Sequence, residues 1–214
     1  MTIDGDAPTG TVFLLSPARC GSERARQLVT SQRSELGQRL REHAAPIGDV
    51  FAWLSALYFR GKLTYARRFG QGPGGVPGAL IMAPGLGLRA PEALLSIDMF
   101  RAMGEVEVES AAFVQPLARD ARIVARMCGT NARVVLLGSI ATGKYLDSLL
   151  AVFDDRLLFP ETFVGRGDMS RGGLLLRAAR TGEELAYRSI TGATLHGVRP
   201  PKLPKLPPRQ LTPG

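Results

Sequence analysis

Gly138, Gly143 and Lys144 stand at the spacing of a phosphate-binding loop, within the run Arg133-Val-Val-Leu-Leu-Gly-Ser-Ile-Ala-Thr-Gly-Lys-Tyr145. In the pattern G-x-x-x-x-G-K-[ST] the glycines bring backbone N–H groups onto a phosphate, the lysine neutralises it, and the last hydroxyl holds magnesium. Here Tyr145 occupies the place of that compact hydroxyl. The segment, with Ser139 inside its turn, therefore keeps the parts that bind an anion and lacks the part that binds the metal. N–H groups at a glycine turn and helix start attract phosphate. A nucleotide, nucleoside or nucleic-acid ligand is expected, without a magnesium requirement.

A second loop, Gly165-Arg-Gly-Asp-Met-Ser-Arg-Gly-Gly173, carries a comparable set. Gly165 and Gly167 permit close backbone approach. Arg166 and Arg171 could clamp a phosphate, and Asp168 could serve as general base or orient a sugar hydroxyl. The same Asp168 also suits a helix cap. His196 follows the last expected strand and is the second candidate for proton transfer. Cys20, between a strand and a helix start, sits where a thiol can be activated, although cysteine is also a common small buried residue. On one helix, Arg60, Thr64, Arg67 and Arg68 recur every three to four residues. Arg60, Arg67 and Arg68 could track a nucleic-acid backbone, or form a solvated face.

The elements that must position these groups follow from hydrophobic spacing. Strands are expected at 11–16, 79–83, 133–137, 157–159 and 186–190, and helices at 23–41, 49–69, 97–103, 116–128, 142–153 and 169–180. The segment 105–109 reads as an edge strand or an exposed loop. Alternation of strand and helix argues for one α/β domain, three-layered, with a mainly parallel sheet. Residues 1–10 read as a flexible leader, 11–196 as the ligand-binding domain, and 197–214 as a basic, proline-rich tail that cannot build a core. Glycine- or proline-rich loops follow four of the strands, at 17–21, 84–87, 138–143 and 160–167. In a parallel sheet they gather at the carboxyl edge, where ligands bind. Gly21, Gly85, Gly138 and Gly165 are accordingly expected along one rim. Strand-to-helix turns also use Gly and Pro for geometry alone.

Composition bounds the function classes. The formal charge is +8 and the isoelectric point about 10.2, which favours an anionic partner. Lysine occurs only at positions 62, 144, 202 and 205, so arginine supplies most of the charge. That bias, with abundant Ala, Gly and Pro, also accompanies a GC-rich genome. Two cysteines and two histidines give no zinc-type cluster. The absence of a disulfide framework fits a cytoplasmic setting. No apolar run reaches membrane-spanning length, so no membrane partner and no resident cofactor are expected.

Two further stretches belong together: Leu57-Tyr58-Phe-Arg-Gly-Lys-Leu-Thr-Tyr-Ala66 and Ala79-Leu-Ile-Met-Ala-Pro-Gly-Leu-Gly-Leu88. The pair resembles an uncharacterised bacterial α/β domain with an LY segment, a helix and a strand reading "ILSA-x-x-G-L". That domain is similar to the uracil-DNA-glycosylase-like fold. Ala83 and Pro84 stand in the region of the small polar residue of that pattern, and no glycosylase catalytic motif is present to carry residues across. The resemblance implies a nucleobase-sized pocket and, by kinship, base excision.

The resulting expectation is an enzyme acting on a nucleoside, nucleotide or nucleic-acid base, with N-glycosidic cleavage or exchange as the reaction. The partner would be nucleic acid or a phosphate-bearing small molecule. The alternative is a non-catalytic nucleic-acid-binding module using the basic helix and tail. Phosphoryl transfer ranks third, since Tyr145 leaves magnesium without its hydroxyl.

Overall fold

Val12, Phe13, Leu14 and Leu15 are fully buried, as a strand covered on both faces by helices requires. They form the middle of a six-stranded sheet in the computed structural model, which describes residues 9–140, 145–193, 197–198, 200–201 and 203. The strands are β1 (Gly10–Leu15), β2 (Ala79–Ala83), β3 (Gly87–Arg89), β4 (Ala132–Leu137), β5 (Leu157–Pro160) and β6 (Tyr187–Ser189). Their spatial order is β3-β2-β1-β4-β5-β6. β2, β1, β4 and β5 run parallel, and β3 and β6 close the two edges antiparallel. A separate small ladder joins Ala45–Pro46 to Leu94–Leu95.

Among the described residues seven α-helices connect the strands: α1 (Glu23–Thr30), α2 (Glu35–Glu42), α3 (Ile47–Phe69), α4 (Ile97–Gly104), α5 (Ala111–Cys128), α6 (Leu146–Phe153) and α7 (Asp168–Thr181). The chain moves from β1 to β2 on one side, then back across β1 to β4. Right-handed crossovers in opposite directions put their helices on opposite faces. α3 accordingly packs on α7, and α5 packs on α6. The molecule is thus the expected α/β domain with a mostly parallel sheet.

Several boundaries differ from the sequence expectation, each for a local reason. The single helix expected over 23–41 is two. Ser34 caps the second by accepting from the Gly37 N–H at 3.1 Å, and Arg41 Nη1 donates to the Val29 and Ser31 carbonyls between them. α3 is interrupted at Ala56, whose φ of 42° and ψ of −114° lie outside the helical region. α5 begins at Ala111, so Pro116 lies inside the helix rather than at its start. The edge strand β3 pairs with β2 through the tight turn at Pro84–Leu86, and its three residues are too few to carry an alternation legible in sequence. The Gly/Pro segment 70–78 is fastened at both ends to β1, through Thr11 and Gln71 and through Phe13 N–H to the Gly78 carbonyl.

α3 and α7 approach closely enough for backbone contact. A Cβ on Gly61 would stand 2.7 Å from the Gly172 carbonyl, and one on Gly172 would stand 2.8 Å from the Leu57 carbonyl. Only glycine at both positions permits this crossing. Its consequence is positional: Asp168, one turn before Gly172, is brought toward Tyr58 and Lys62 of α3.

Candidate functional site

Four turns leave the carboxyl ends of β1, β2, β4 and β5, and parallel direction puts them on one edge of the sheet. Between β1 and β4 the strand order reverses, because β1 connects to β2 on one side while β4 continues on the other. Such a switch point opens a crevice where adjacent connections diverge to opposite faces. A cavity of about 1040 Å³ lies at this edge. Segment 16–22 after β1, α3, the segment 103–109 after α4, the β4 turn and the start of α7 all contribute to its wall.

The most distinctive group in this wall is Lys62. It is 1% exposed. Its ammonium nitrogen donates to the Ser16 carbonyl at 2.8 Å and lies 2.9 Å from Ser16 Oγ. Its other neighbours are aromatic faces, with Nζ 4.6 Å from the Tyr58 ring centre and 4.7 Å from that of Phe59. Among the described residues no carboxylate is within ion-pair distance. Burial therefore penalises its charged form and lowers its pKa to about 7, with Asp168 opposing that shift and Arg171 adding to it.

Two tyrosines complete the cluster. Tyr145 is buried, and its hydroxyl donates to the Ser139 carbonyl at 3.2 Å. A Cβ on Gly138 would meet that hydroxyl at 2.7 Å and Ser16 Oγ at 3.1 Å, so Ser16, Gly138 and Tyr145 converge on one point. Tyr58 is also buried, and its hydroxyl makes no hydrogen bond among the described residues. Burial pushes the Tyr58 pKa up, while the Arg171 guanidinium acts in the other direction through its charge and a hydrogen-bonding approach that falls short of full hydrogen-bond geometry. An unpaired buried hydroxyl beside a cavity is costly unless a ligand completes it.

The sequence candidates separate into groups. Gly21, Ser139 and Asp168 border the cavity. Asp168 is the first residue of α7 rather than its cap: Gly167 holds the cap position, without a side-chain cap bond. The Asp168 carboxylate is well exposed and 3.9 Å from Arg171 Nη1. Gly138 lies directly behind the cavity wall. Gly85 provides a turn with φ of 76° after β2 and packs beside Val106. Gly165, with φ of 72°, faces the backbone of Gly197 and Val198 instead of the cavity. Gly143, Lys144 and His196 lie outside the described residues.

The two loop arginines are occupied by their own chain. Arg171 donates from Nε and Nη2 to the Phe163 carbonyl at 3.3 and 3.2 Å, beneath an exposed surface. Arg166 donates to the Thr162 carbonyl, Ser170 Oγ and the Pro201 carbonyl, and borders a smaller cavity of about 320 Å³. Neither lines the main cavity. On α3, Arg60, Arg67 and Arg68 are all exposed. Arg67 pairs with Glu92 at 3.0 Å, and Arg68 lies 6.0 Å over the Phe69 ring. Cys20 is buried, which pushes its thiol up to about 12. A thiolate nucleophile there is disfavoured, contrary to the activation its sequence position suggested.

Lys62, Ser16 and Tyr58 were not singled out for chemistry by spacing. Lys62 is separated from Ser16 by 46 positions, so no local motif contains both. One sequence signal was available: Lys62 falls among the buried positions of α3, between Gly61 and Leu63, where lysine is rarely placed without purpose.

The described residues contain no group of three or more His, Cys, Asp or Glu able to hold a metal ion. Among the described residues no helix is long and apolar enough to cross a membrane. No protein-family model, curated protein or solved structure matches the chain.

Proposed function

We propose that this protein is an enzyme whose cavity at the β1–β4 reversal takes a nucleoside, a nucleotide or a nucleic-acid base. The observation that carries the reading is the cavity itself, of about 1040 Å³, with a buried lysine, a serine and an unpaired tyrosine hydroxyl in its wall. Ligand cavities commonly span ~300–1,000 Å³ and combine apolar walls with a few placed polar groups. A nucleoside or nucleotide fits within that volume. Leu54, Pro84 and Met103 offer apolar surface for a flat ring, while Arg19 and Glu107 offer a donor and an acceptor for its edges. A non-catalytic module would have little reason to bury an uncompensated lysine beside open space, since doing so costs stability.

Asp168, at the mouth of this cavity, is the carboxylate that would favour a cationic sugar in N-glycosidic cleavage or exchange. The glycine turn after β4 is the segment expected to receive a phosphate. The test is direct. The purified chain is denatured and any released small molecules are identified by mass spectrometry. Nucleosides, bases and nucleotides are then compared as stabilisers in thermal unfolding, with and without magnesium. Stabilisation by a base- or sugar-bearing compound, independent of magnesium and weakened by Leu54→Arg, supports the proposal. Failure of every such compound to bind, in a chain with normal cooperative unfolding, overturns it.

A further inference from the structure

We infer that Ser16 Oγ is a nucleophile activated by Lys62, and that the cavity accepts an acyl ester or thioester whose acyl group passes transiently onto Ser16. This activity goes beyond nucleoside binding and does not depend on it. Its basis is the way the two side chains fit. A neutral amine has two N–H donors and one lone pair. The Ser16 carbonyl at 2.8 Å takes one donor, and Ser16 Oγ at 2.9 Å is placed to give its proton to the lone pair. Each polar group of the pair then has a partner, and the serine proton has Lys62 Nζ within reach as an acceptor, the Tyr145 hydroxyl being the other hydrogen-bonding neighbour of Ser16.

The surroundings permit both protonation states in turn. From α3 itself, the Tyr58 and Phe59 rings face Nζ and stabilise the ammonium formed after proton transfer. From α7, Asp168 favours that ammonium and Arg171 disfavours it. From the start of α6, Tyr145 comes in beside Ser16, with no room for a side chain at Gly138 between them. Burial keeps Lys62 largely able to act as a base near neutrality, unlike an exposed lysine. Cys20, the thiol in the same wall, is held protonated by burial.

The step balances as follows. The Ser16 Oγ–H proton moves to Lys62 Nζ while Oγ bonds to the acyl carbon. The bond from that carbon to the ester oxygen or thioester sulfur breaks, and the leaving atom departs with the electron pair and receives the proton from Lys62. Water then attacks the serine ester, giving a proton to Lys62, which returns it to Ser16 Oγ as the carboxylic acid leaves. No oxidant or further reactant is consumed.

The probe is p-nitrophenyl acetate with the full-length chain. Expected is a burst of about one p-nitrophenolate per chain, the usual sign of acyl-enzyme accumulation, and one acetyl group on the peptide carrying Ser16. In the wild-type chain the labelling rate should rise through an inflection near pH 7, where Lys62 loses its proton. Ser16→Ala should abolish the label. Lys62→Arg keeps a buried cation and strand-end donors but cannot accept a proton, and should lower the rate by about 10²–10⁴-fold, the usual weight of a general base. Ser16→Cys should restore acylation, because a thiol depends less on the base. Acetylation that persists in Ser16→Ala, maps to Cys20 or Lys62, proceeds at the wild-type rate in Lys62→Arg, or fails altogether in folded wild-type chain overturns the inference. Nucleoside binding measured on the same samples reports separately on the cavity's ligand.

Discussion

The glycine turns after β4 and β5 look alike as sequence and differ in what their neighbours are bound to. At the first, Gly138 leaves space into which Ser16 and Tyr145 converge, beside a lysine without a carboxylate and a tyrosine hydroxyl without a partner. At the second, Arg166 and Arg171 hold the carbonyls of Thr162, Phe163 and Pro201. A cation that donates to nearby backbone carbonyls builds the turn. One buried with capacity to gain or lose a proton is available for chemistry. Glycine richness marks the location of a turn but does not distinguish these two uses.

The sharpest way to break this contrast is kinetic. Lys62→Met should lower turnover of the physiological substrate by about 10²–10⁴-fold, whereas Arg171→Ala, which removes only a charge that disfavours the Lys62 ammonium, should move the pH dependence of turnover upward and lower the maximal rate of the folded fraction far less. Steady-state assays normalised to folded chain would measure both, and equal losses would erase the distinction. Arg171→Ala should instead act on stability. It strands the Phe163 carbonyl and is expected to cost about 1–3 kcal/mol, read from the denaturation midpoint.

Close backbone contact supports the first region, so Gly172→Ala should cost about 1–3 kcal/mol through overpacking against Leu57 and Tyr58. It should also weaken ligand binding in the cavity, because α7 would carry Asp168 away from α3. Unchanged binding, measured by calorimetry on the folded variant, would show that this crossing serves packing alone.

A pH titration of stability sharpens the comparison further. The Lys62 pKa is depressed in the folded state to about 7, against roughly 10.4 in an unfolded chain. Between these values the unfolded chain binds the extra proton, so this group's contribution to stability rises with pH. It is lost as pH falls toward 7. The slope approaches about 1.36 kcal/mol per pH unit at most. Subtracting the profile of Lys62→Met should isolate this term from the buried tyrosines, whose raised pKa values act in the opposite sense. Identical profiles would mean that Lys62 is not held neutral.

The smallest effect concerns α3's outer face. Arg67 already pairs with Glu92 on the surface, an interaction worth about 0–1 kcal/mol. If Arg60, Arg67 and Arg68 contact nucleic acid, replacing all three by Gln should flatten the salt dependence of binding by about 0.9 per lost contact on duplex DNA. Absence of binding at low salt would leave the positive charge as composition rather than interface.

Read as sequence, the chain already determined its layers. The apolar runs at β1, β2, β4 and β5 are long and continuous enough to be buried strands, and the intervening periodicity made helices. Strand direction then forced four glycine turns onto one edge. Local features were less legible: Ser34 capping split the first helix, and the tight glycine turn after β2 folded three residues back as β3. The site was least legible. Ser16 and Lys62 meet only because α3 lies against the end of β1, across 46 positions of chain, and Asp168 joins them only through the Gly61–Gly172 crossing. The depressed lysine pKa arises from burial that outweighs the more distant Asp168 charge, and burial is a property of the packed structure. Residue types and local spacing were sufficient for the architecture, whereas the chemistry at its edge depends on which distant groups the fold removes from water together.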